Sequence, residues 1–245
     1  MLQPRAYITT SWDDGHPLDL RLAELLHKYA LPATFYIPLD NQLPVMTPAQ
    51  VRELSSAFEV GGHTANHCDL LTMPDKVTRR EIIDCKSELE GICGRPCIAF
   101  CFPKGRFRRS HVKLVRDAGY RTARTVELMS TEKPHMQDGI AMVPTTLQVG
   151  PAGFWRVARN STKRMRPMNF LRQIRYGKSS WVATAEVMVE NVLSSGGVFH
   201  IWGHSWEIEQ MGEWQNLERV FSLLAQGGSH AVFTNNTGLL KVATS

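Results

Sequence analysis

The sequence predicts an α/β barrel, because three features recur along its 245 residues. Short β-branched or apolar segments alternate with longer segments of helical periodicity, and this alternation is typical of parallel βαβ units. Glycine or proline marks most of the junctions. Polar, chemically active residues follow several of the strand-like segments. A closed parallel sheet coated by helices accommodates all three features, and in such barrels the active site lies at the carboxyl ends of the strands.

The segments follow one another without repeats or low-complexity linkers. Strand composition predicts strands at residues 5–12, 33–37, 58–60, 97–102, 120–125, 140–143, 198–202 and 231–234. Apolar periodicity predicts helices at residues 18–29, 47–58, 74–90, 110–118, 180–193 and 214–226. The second helix begins with Thr47, Pro48 and Gln50, which is the signature of a capping box. The region between residues 129 and 178 is the least regular.

The composition is that of a globular protein with a substantial core, since 43% of the residues are hydrophobic and 21% are charged. No apolar run reaches the roughly 18 residues of a membrane span, so we expect no integral membrane segment. The amino-terminal residues lack the pattern of a secretory signal. The five cysteines have no disulfide-framework spacing, which favours reduced thiols. We therefore expect a single domain over residues 1–245, located in the cytoplasm.

Two adjacent carboxylates, Asp13 and Asp14, follow the first predicted strand and precede Gly15. An Asp-Asp-Gly sequence alone is typical of a turn. Side chains alternate along an extended strand, so only one of the two carboxylates points a given way unless the turn relaxes the geometry. Because the pair lies at the carboxyl end of a strand, we treat it as a candidate metal ligand and base.

Two histidines four residues apart, His63 and His67, follow a glycine pair and the third predicted strand. The simplest interpretation is two surface histidines in a turn. Neutral imidazole is also a common metal ligand, and this spacing lets two rings converge on one ion. With a carboxylate from residues 13–14, the pair completes a set that holds a divalent metal, for which zinc is the expected ion. The second carboxylate is then free to act as a base on water.

The strand at 198–202 is followed by further candidate residues. His204 is the candidate acid for a leaving amine, and His200, four residues earlier, is the alternative. Trp206 is a candidate for stacking on a sugar ring, although a buried tryptophan more often belongs to the core. Pro103 follows a further predicted strand, at residues 97–102. Four loops at strand ends therefore carry unusual residues, and this coincidence predicts one shared site.

A basic stretch runs from Arg156 to Lys178 without an acidic residue. A solvated helix face or a lid is the simplest interpretation. Recognition of a phosphate-bearing substrate, such as a nucleotide-linked or lipid-linked sugar, is a second one. No recognition motif accompanies the charge, so we expect no nucleic-acid partner.

Two segments of the chain together resemble the motifs of a known family. Residues 10–15, T-S-W-D-D-G, resemble the T-F-D-D-G motif of the polysaccharide deacetylases, which form the NodB-homology group or carbohydrate esterase family 4. Residues 63–67, H-T-A-N-H, resemble the H-(S/T)-x-x-H motif of the same family. The resemblance covers most of the chain. It implies a distorted (β/α) barrel of about seven strands and metal-dependent hydrolysis of an N-acetyl group on a carbohydrate.

The resemblance also implies a role for individual residues. Asp13 corresponds to the base and His204 to the acid. Asp14, His63 and His67 correspond to the ligands of a divalent metal. The residues expected to contact an N-acetylated carbohydrate substrate are Pro103, Lys104, Trp206 and His200.

The third motif of the family, R-x-P-(F/Y), is altered in this chain. Cys101 stands in place of the arginine that would brace the base, and Lys104 stands in place of the aromatic residue. Pro103 keeps the turn, and the backbone N–H of Lys104 can still serve an oxyanion, because a backbone donor does not depend on the side chain. The bracing charge is expected from Arg106 or Arg108, or is absent.

Two other functions remain open on the sequence alone. The same metal site would also attack another linear or cyclic amide carbon–nitrogen bond. The missing arginine would equally fit a catalytically inactive sugar-binding protein. Acetate release from N-acetylated sugars, compared with ring opening of cyclic ureides, distinguishes a deacetylase from a hydrolase of another amide. The metal content of the purified protein tests the inactive alternative.

Overall fold

The structure, a computed structural model, describes residues 5–150 and 180–243 of the chain. The basic stretch at 156–178 lies outside the described residues. The strands in the described part are β1 (Ala6–Asp13), β2 (Ala33–Ile37), β3 (Glu59–Gly62), β4 (Ala99–Cys101), β5 (Thr122–Arg124), β6 (His135–Gln137), β7 (Ile140–Val143), β8 (Leu147–Gln148), β9 (Gly197–Gly203) and β10 (Ala231–Phe233). The α-helices are α1 (Asp19–Lys28), α2 (Pro48–Ala57), α3 (Asp75–Cys93), α4 (Arg109–Asp117), α5 (Trp181–Ser195), α6 (Ser205–Met211) and α7 (Trp214–Ala225).

The strands form one curled sheet in the order β6-β7-β5-β4-β3-β2-β1-β9-β8, and β10 also pairs with β1. Every pairing among these described strands is parallel except that between β6 and β7. Strands β7 and β8 belong to one continuous segment, residues 140–148, which pairs with β5 at one end and with β9 at the other. Backbone hydrogen bonds from Thr145 to Glu127 and from Thr146 to His200 complete this bridge. The expected distorted (β/α) barrel, with seven strand positions in its ring, is confirmed.

Burial of both sheet faces explains the composition of the strands. All eight residues of β1 are buried, and Trp12 packs edge to face on Phe221 of α7 with ring centroids 5.9 Å apart. The glycine pair before the histidines has a steric cause, since a Cβ on Gly61 would lie 2.6 Å from the ring of Tyr36. The barrel wall at β3 therefore accepts only glycine at this position.

The helix boundaries follow local chemistry. The capping box of α2 is present, because the Thr47 hydroxyl accepts from the backbone of Gln50 and the Gln50 side chain accepts from the backbone of Thr47. Such a cap contributes about 1 kcal/mol. Helix α3 runs through Gly91 and ends at Gly94, which has a left-handed φ of 66°. Within the described residues, no helix has the length and apolar character needed to cross a bilayer.

Three elements were not expected from the sequence. Strands β6 and β8 have three and two residues, and helix α6 has seven. Elements this short hold too few positions for a periodicity to appear. They matter for function, because α6 follows directly on β9 and carries side chains into the cavity described next.

Candidate active site

A cavity of about 690 Å³ opens where β1, β3, β4 and β9 end. Its lining includes most of the residues that the sequence singled out, namely Asp13, Asp14, His63, His67, Lys104, His204 and Trp206. The remaining lining residues are Phe102, Gly105, Arg106, Phe107, Val126, Leu128, Gln148, Trp202 and Glu207. The carboxyl ends of parallel strands share one rim of a barrel, which brings these distant parts of the chain together.

The two carboxylates reach the same cavity because the backbone turns between them. Asp13 is the last residue of β1. Asp14 has a φ of 78° and Gly15 one of 60°. Glycine adopts this left-handed region freely, whereas Asp14 enters it at a cost. A Cβ on Gly15 would lie 2.8 Å from the side chain of Ile37. This turn removes the alternation that would otherwise point the two side chains to opposite faces of β1.

The two histidines present nitrogen atoms to Asp14. His63 donates from Nδ1 to the carbonyl oxygen of Cys101 at 2.9 Å, which leaves the Nε2 lone pair facing the cavity. His63 Nε2 lies 3.8 Å from Asp14 Oδ1, and His67 Nε2 lies 3.2 Å from the same oxygen. One ligand atom each from Asp14, His63 and His67 falls within 4.8 Å of the others. Two imidazoles and a carboxylate are a donor set for a divalent metal.

Two further observations fit a metal ion at Asp14, His63 and His67. Asp14 Oδ1 is buried and has no hydrogen-bond partner among the described residues, as expected of an atom reserved for a cation. Burial lowers the pKa of His63 to about 4 and also lowers the pKa of His67. Both imidazoles are therefore neutral near pH 7, which is the form that binds metal.

A second cluster of possible ligands, Asp13, His63 and Cys101, overlaps the first one. Burial raises the pKa of the Cys101 thiol well above its usual range, and a protonated thiol is a poor ligand. Asp13 Oδ2 already accepts a hydrogen bond from Arg124. The three residues Asp14, His63 and His67 are therefore the better metal site.

Asp13 is paired with the buried guanidinium of Arg124. Burial would raise the pKa of Asp13, but the charge and the hydrogen bond of Arg124, together with the neighbouring imidazoles of His63 and His204, hold that pKa below its ordinary value. The Sγ of Cys101 lies 3.9 Å from Asp13 Oδ2. The other oxygen, Oδ1, is buried without a hydrogen-bond partner in the described part of the chain. Asp13 thus has one fixed oxygen and one oxygen free to accept a proton.

His204 lies close to both carboxylates. Its Nδ1 donates to Glu207 Oε2 at 2.6 Å, and its Nε2 lies 4.0 Å from Asp13 Oδ2 and 3.9 Å from Asp14 Oδ2. Burial alone would lower the pKa of His204, but the hydrogen bond with Glu207 and the nearby aspartates raise it above its ordinary value. The geometry therefore suits an imidazolium that gives a proton into the cavity.

His200 does not reach the cavity, so the expectation that it contacts substrate is wrong. Its side chain is buried, its Nδ1 donates to the carbonyl of Pro144 at 2.8 Å, and its Nε2 accepts from the hydroxyl of Ser11 at 2.8 Å. Burial and the charge of Arg124 lower the pKa of His200 to about 3. A neutral imidazole with both nitrogens engaged inside the protein has no proton to give to a substrate.

Pro103 differs from the expectation, whereas Trp206 lines the cavity as expected and makes one further contact. Pro103 is buried in the 3₁₀ turn Pro103–Gly105 and is not among the cavity-lining residues, so its effect on the site is confined to the turn that presents Lys104. Trp206 lines the cavity, and its Nε1 donates to Asp14 Oδ2 at 2.9 Å. The indole therefore acts on a candidate metal ligand as well as bordering the space for substrate.

The sequence interpretation missed Arg124. The bracing charge was expected from Arg106 or Arg108, or was expected to be absent. Arg106 instead pairs with Asp69 at 2.7 Å, and Arg108 donates to the carbonyl of Leu71 at 3.3 Å. Arg124, the last residue of β5, is fully buried and donates to Asp13. The available signal was an arginine inside a segment of buried-strand composition, where an unpaired charge is costly.

Comparison with known proteins agrees with this site. The family model described as polysaccharide deacetylase matches residues 3–123, which contain the aspartate pair and both histidines. No curated protein sequence matches the chain.

Solved structures of the same fold exist. A Mycobacterium smegmatis protein named as a polysaccharide deacetylase superposes with a TM-score of 0.68 at 12% identity, over 99% of this chain and 92% of that one. A family 4 acetyl xylan esterase of Clostridium thermocellum, solved with a cobalt ion, has a TM-score of 0.58 at 16% identity, over 96% and 91% of the two chains. A family 4 carbohydrate esterase of Streptomyces lividans, solved with acetate, has a TM-score of 0.53 at 15% identity, over 90% of each chain. The motifs, the barrel and the family match agree, and the chain belongs to the polysaccharide deacetylase family and is a metal-dependent hydrolase acting on carbon–nitrogen bonds other than peptide bonds.

Proposed function

We propose that this protein hydrolyses the N-acetyl group of an amino sugar, carried by a polysaccharide, an oligosaccharide or an activated sugar, and releases acetate and a free amine. The observation that carries the proposal is the meeting of three kinds of group in one cavity. These are a candidate metal-binding set of Asp14, His63 and His67, the carboxylate of Asp13, whose pKa is held below its ordinary value, and the imidazole of His204, whose pKa is raised above its ordinary value.

The donor set suits zinc, because zinc in catalytic sites is typically bound by three protein ligands of imidazole and carboxylate type. When bound, a divalent ion supplies Lewis acidity, which polarises the amide carbonyl and lowers the pKa of water. We propose Asp14 Oδ1, His63 Nε2 and His67 Nε2 as its ligands. The hydrogen bonds from Trp206 to Asp14 and from His63 to Cys101 hold two of these ligands in orientation.

The chain's own residues then move two protons. Asp13 takes the proton of the attacking water on its free oxygen, Oδ1, while Arg124 holds Oδ2. His204 gives the proton on Nε2 to the nitrogen of the amide, which leaves as an amine. The backbone N–H of Lys104, in a turn with a φ of 58°, is the proposed donor to the oxyanion.

The wall of the cavity supports a ring-shaped substrate. Phe107 and Trp206 line the cavity and are partly exposed. The buried Phe102 stacks on Phe107, with ring centroids 4.1 Å apart and an interplanar angle of 18°. Aromatic faces of this kind pack on the apolar face of a sugar. Further along the lining, Lys104 adds positive charge.

The direct test is an assay of acetate released by the zinc-loaded protein from N-acetylated mono- and oligosaccharides, with cyclic ureides as competing substrates. We expect acetate release from at least one acetylated sugar. Ring opening of a ureide without acetate release would favour an enzyme acting on another amide. Stoichiometric metal and sugar binding without turnover of either substrate would favour an inactive sugar-binding protein.

Substitution of Glu207 tests the proposed acid. The hydrogen bond with Glu207 is the main contribution that raises the pKa of His204. In Glu207→Gln this pKa falls, so His204 loses its proton at a lower pH. We expect the alkaline limb of the kcat/KM profile, where activity is lost as pH rises through the pKa of His204, to move to lower pH.

The matched control for this experiment lies on the same helix. Glu209 binds Arg21 at 3.0 Å on the surface, and Glu209→Gln is expected to leave the profile unchanged. An alkaline limb that stays in place in Glu207→Gln would assign the proton donor to another group.

We also propose a cytoplasmic location for the protein. All five cysteines are free, and four of them are buried, which suits a reducing compartment. Cell fractionation followed by immunodetection tests this location. Recovery of the protein outside the cytoplasmic fraction would reject it.

A further inference from the structure

We infer that Arg124 is the positioning residue of Asp13, and that Cys101 and Arg124 form an exchanged pair, in which a small side chain at the end of β4 makes room for a cation from the end of β5. The inference rests on the proposed function, in which Asp13 is the base. It adds a residue that the motifs of the sequence did not identify, and it explains why a cysteine stands at position 101.

The register of the barrel places the two residues side by side. Strands β4 and β5 are parallel neighbours, and Cys101 and Arg124 are partners in their register. Each is the last residue of its strand, and both are fully buried. Arg124 Nη2 and Cys101 Sγ both contact the same atom, Asp13 Oδ2. A cation at the end of either strand therefore reaches the same carboxylate oxygen.

The guanidinium of Arg124 is held in a narrow slot. Its central carbon lies 4.4 Å from the ring centroid of Trp202 and 5.5 Å from that of Tyr36, which are cation–π distances. Two of its nitrogens, Nε and Nη1, are buried without a hydrogen-bond partner among the described residues. Asp13 is therefore the carboxylate that compensates this buried charge, and the two groups fix each other.

The volume of residue 101 decides whether this arrangement is possible. The Cys101 thiol lies beside Asp13 Oδ2, in the region that a long side chain from β4 would have to cross to reach the same oxygen. Two guanidinium groups on one carboxylate oxygen would repel each other in this buried space. A small neutral residue at 101 and an arginine at 124 are therefore complementary.

Arg124 acts through Asp13 and does not contact substrate. It is not among the residues that line the cavity. Its hydrogen bond occupies Oδ2, so that Oδ1 remains the free oxygen. Loss of Arg124 should accordingly lower kcat and leave KM and metal content unchanged, since neither the cavity wall nor the set of Asp14, His63 and His67 is altered.

The test compares Arg124→Ala, Arg124→Lys and the double variant Cys101→Arg/Arg124→Ala in the full-length, metal-loaded protein. We expect Arg124→Ala to lower kcat about 100-fold with KM within about threefold of wild type, because it removes part of a general-base contribution. Arg124→Lys should recover part of the loss, and the double variant should be at least about tenfold faster than Arg124→Ala, since a general base contributes roughly 10²- to 10⁴-fold in all. Arg108→Ala is the matched control, because Arg108 is an exposed arginine whose guanidinium donates to the Leu71 carbonyl, and it should behave as wild type.

A crystal structure of the double variant provides a readout that does not need turnover. The introduced guanidinium is expected within hydrogen-bond distance of the Asp13 carboxylate. If it points elsewhere, or if the folded, metal-loaded double variant is no faster than Arg124→Ala, the exchanged pair is rejected. If Arg124→Ala keeps wild-type kcat, the positioning role is rejected.

If Arg124→Ala does not fold, the inference is tested by Arg124→Lys and by the double variant, because both keep a cation beside Asp13. Failure of the proposed function has a different signature. In that case the wild-type protein releases no acetate from any substrate, while the crystal structure of the double variant still decides whether the two strand ends are interchangeable.

Discussion

Replacement of Asp13 by asparagine is expected to lower kcat by about 10²- to 10⁴-fold, which is the usual contribution of a general base. The physical reason is that an amide oxygen accepts a hydrogen bond but does not take the proton of the attacking water. The substituted side chain keeps an oxygen for Arg124 but leaves the buried charge of Arg124 uncompensated, so the free energy of unfolding should also fall. Steady-state kinetics of acetate release with the zinc-loaded variant measures the effect.

Metal content distinguishes this result from simple damage to the site. The proposed ligands Asp14, His63 and His67 are untouched in Asp13→Asn, so elemental analysis should find the same stoichiometry as in wild type. Asp84→Asn changes an exposed aspartate on α3 and is expected to keep full activity. Unchanged turnover in Asp13→Asn at full metal occupancy would show that another group is the base.

Replacement of His67 by alanine is expected to cost the protein both its metal and its activity. The variant keeps one imidazole and one carboxylate, and a two-ligand site holds zinc weakly. Because metal-ion catalysis contributes several kcal/mol to transition-state stabilisation, we expect kcat to fall by about 10³-fold or more. Elemental analysis after dialysis should find less than one metal ion per chain.

His67 is the best of the three proposed ligands for this experiment, because its side chain is 19% exposed while those of His63 and Asp14 are nearly fully buried. Its removal therefore leaves the barrel core intact. His230→Ala, which removes an exposed histidine in the 3₁₀ turn Gly228–His230, is the matched control. Stoichiometric metal in His67→Ala, or wild-type turnover in the presence of a strong chelator, would contradict the proposed site.

The barrel and most of the site follow from the sequence for a simple physical reason. Strands buried on both faces are apolar and short, and their parallel carboxyl ends share one rim. Asp13, His63 and His204 each stand at or directly after such an end, so their meeting is decided by the fold and needs no long-range information. The strand boundary also separates His204 from His200, since β9 continues through Gly203 and keeps His200 within the wall.

The source of the bracing charge could not be predicted in this way. Arg106 and Arg108 are close to Cys101 along the chain, whereas Arg124 is close to it only through the register of β4 and β5. A register is a property of two strands together, and the local sequence of either strand does not contain it. The backbone turn at Asp14 could not be predicted from the local sequence either, because a non-glycine residue keeps a positive φ only when the surrounding structure holds it there.

Helix α6 couples the proton donor to the candidate metal site. His204 directly before it, Trp206 and Glu207 lie on one short segment between Gly203 and Gly212, so a rigid shift of that segment moves the proton donor and the hydrogen bond to Asp14 in concert. Damage to either end of the segment should therefore appear in metal affinity and in turnover simultaneously. The effects of two substitutions within this segment on turnover should be non-additive, because the first substitution already displaces the groups that the second one contacts.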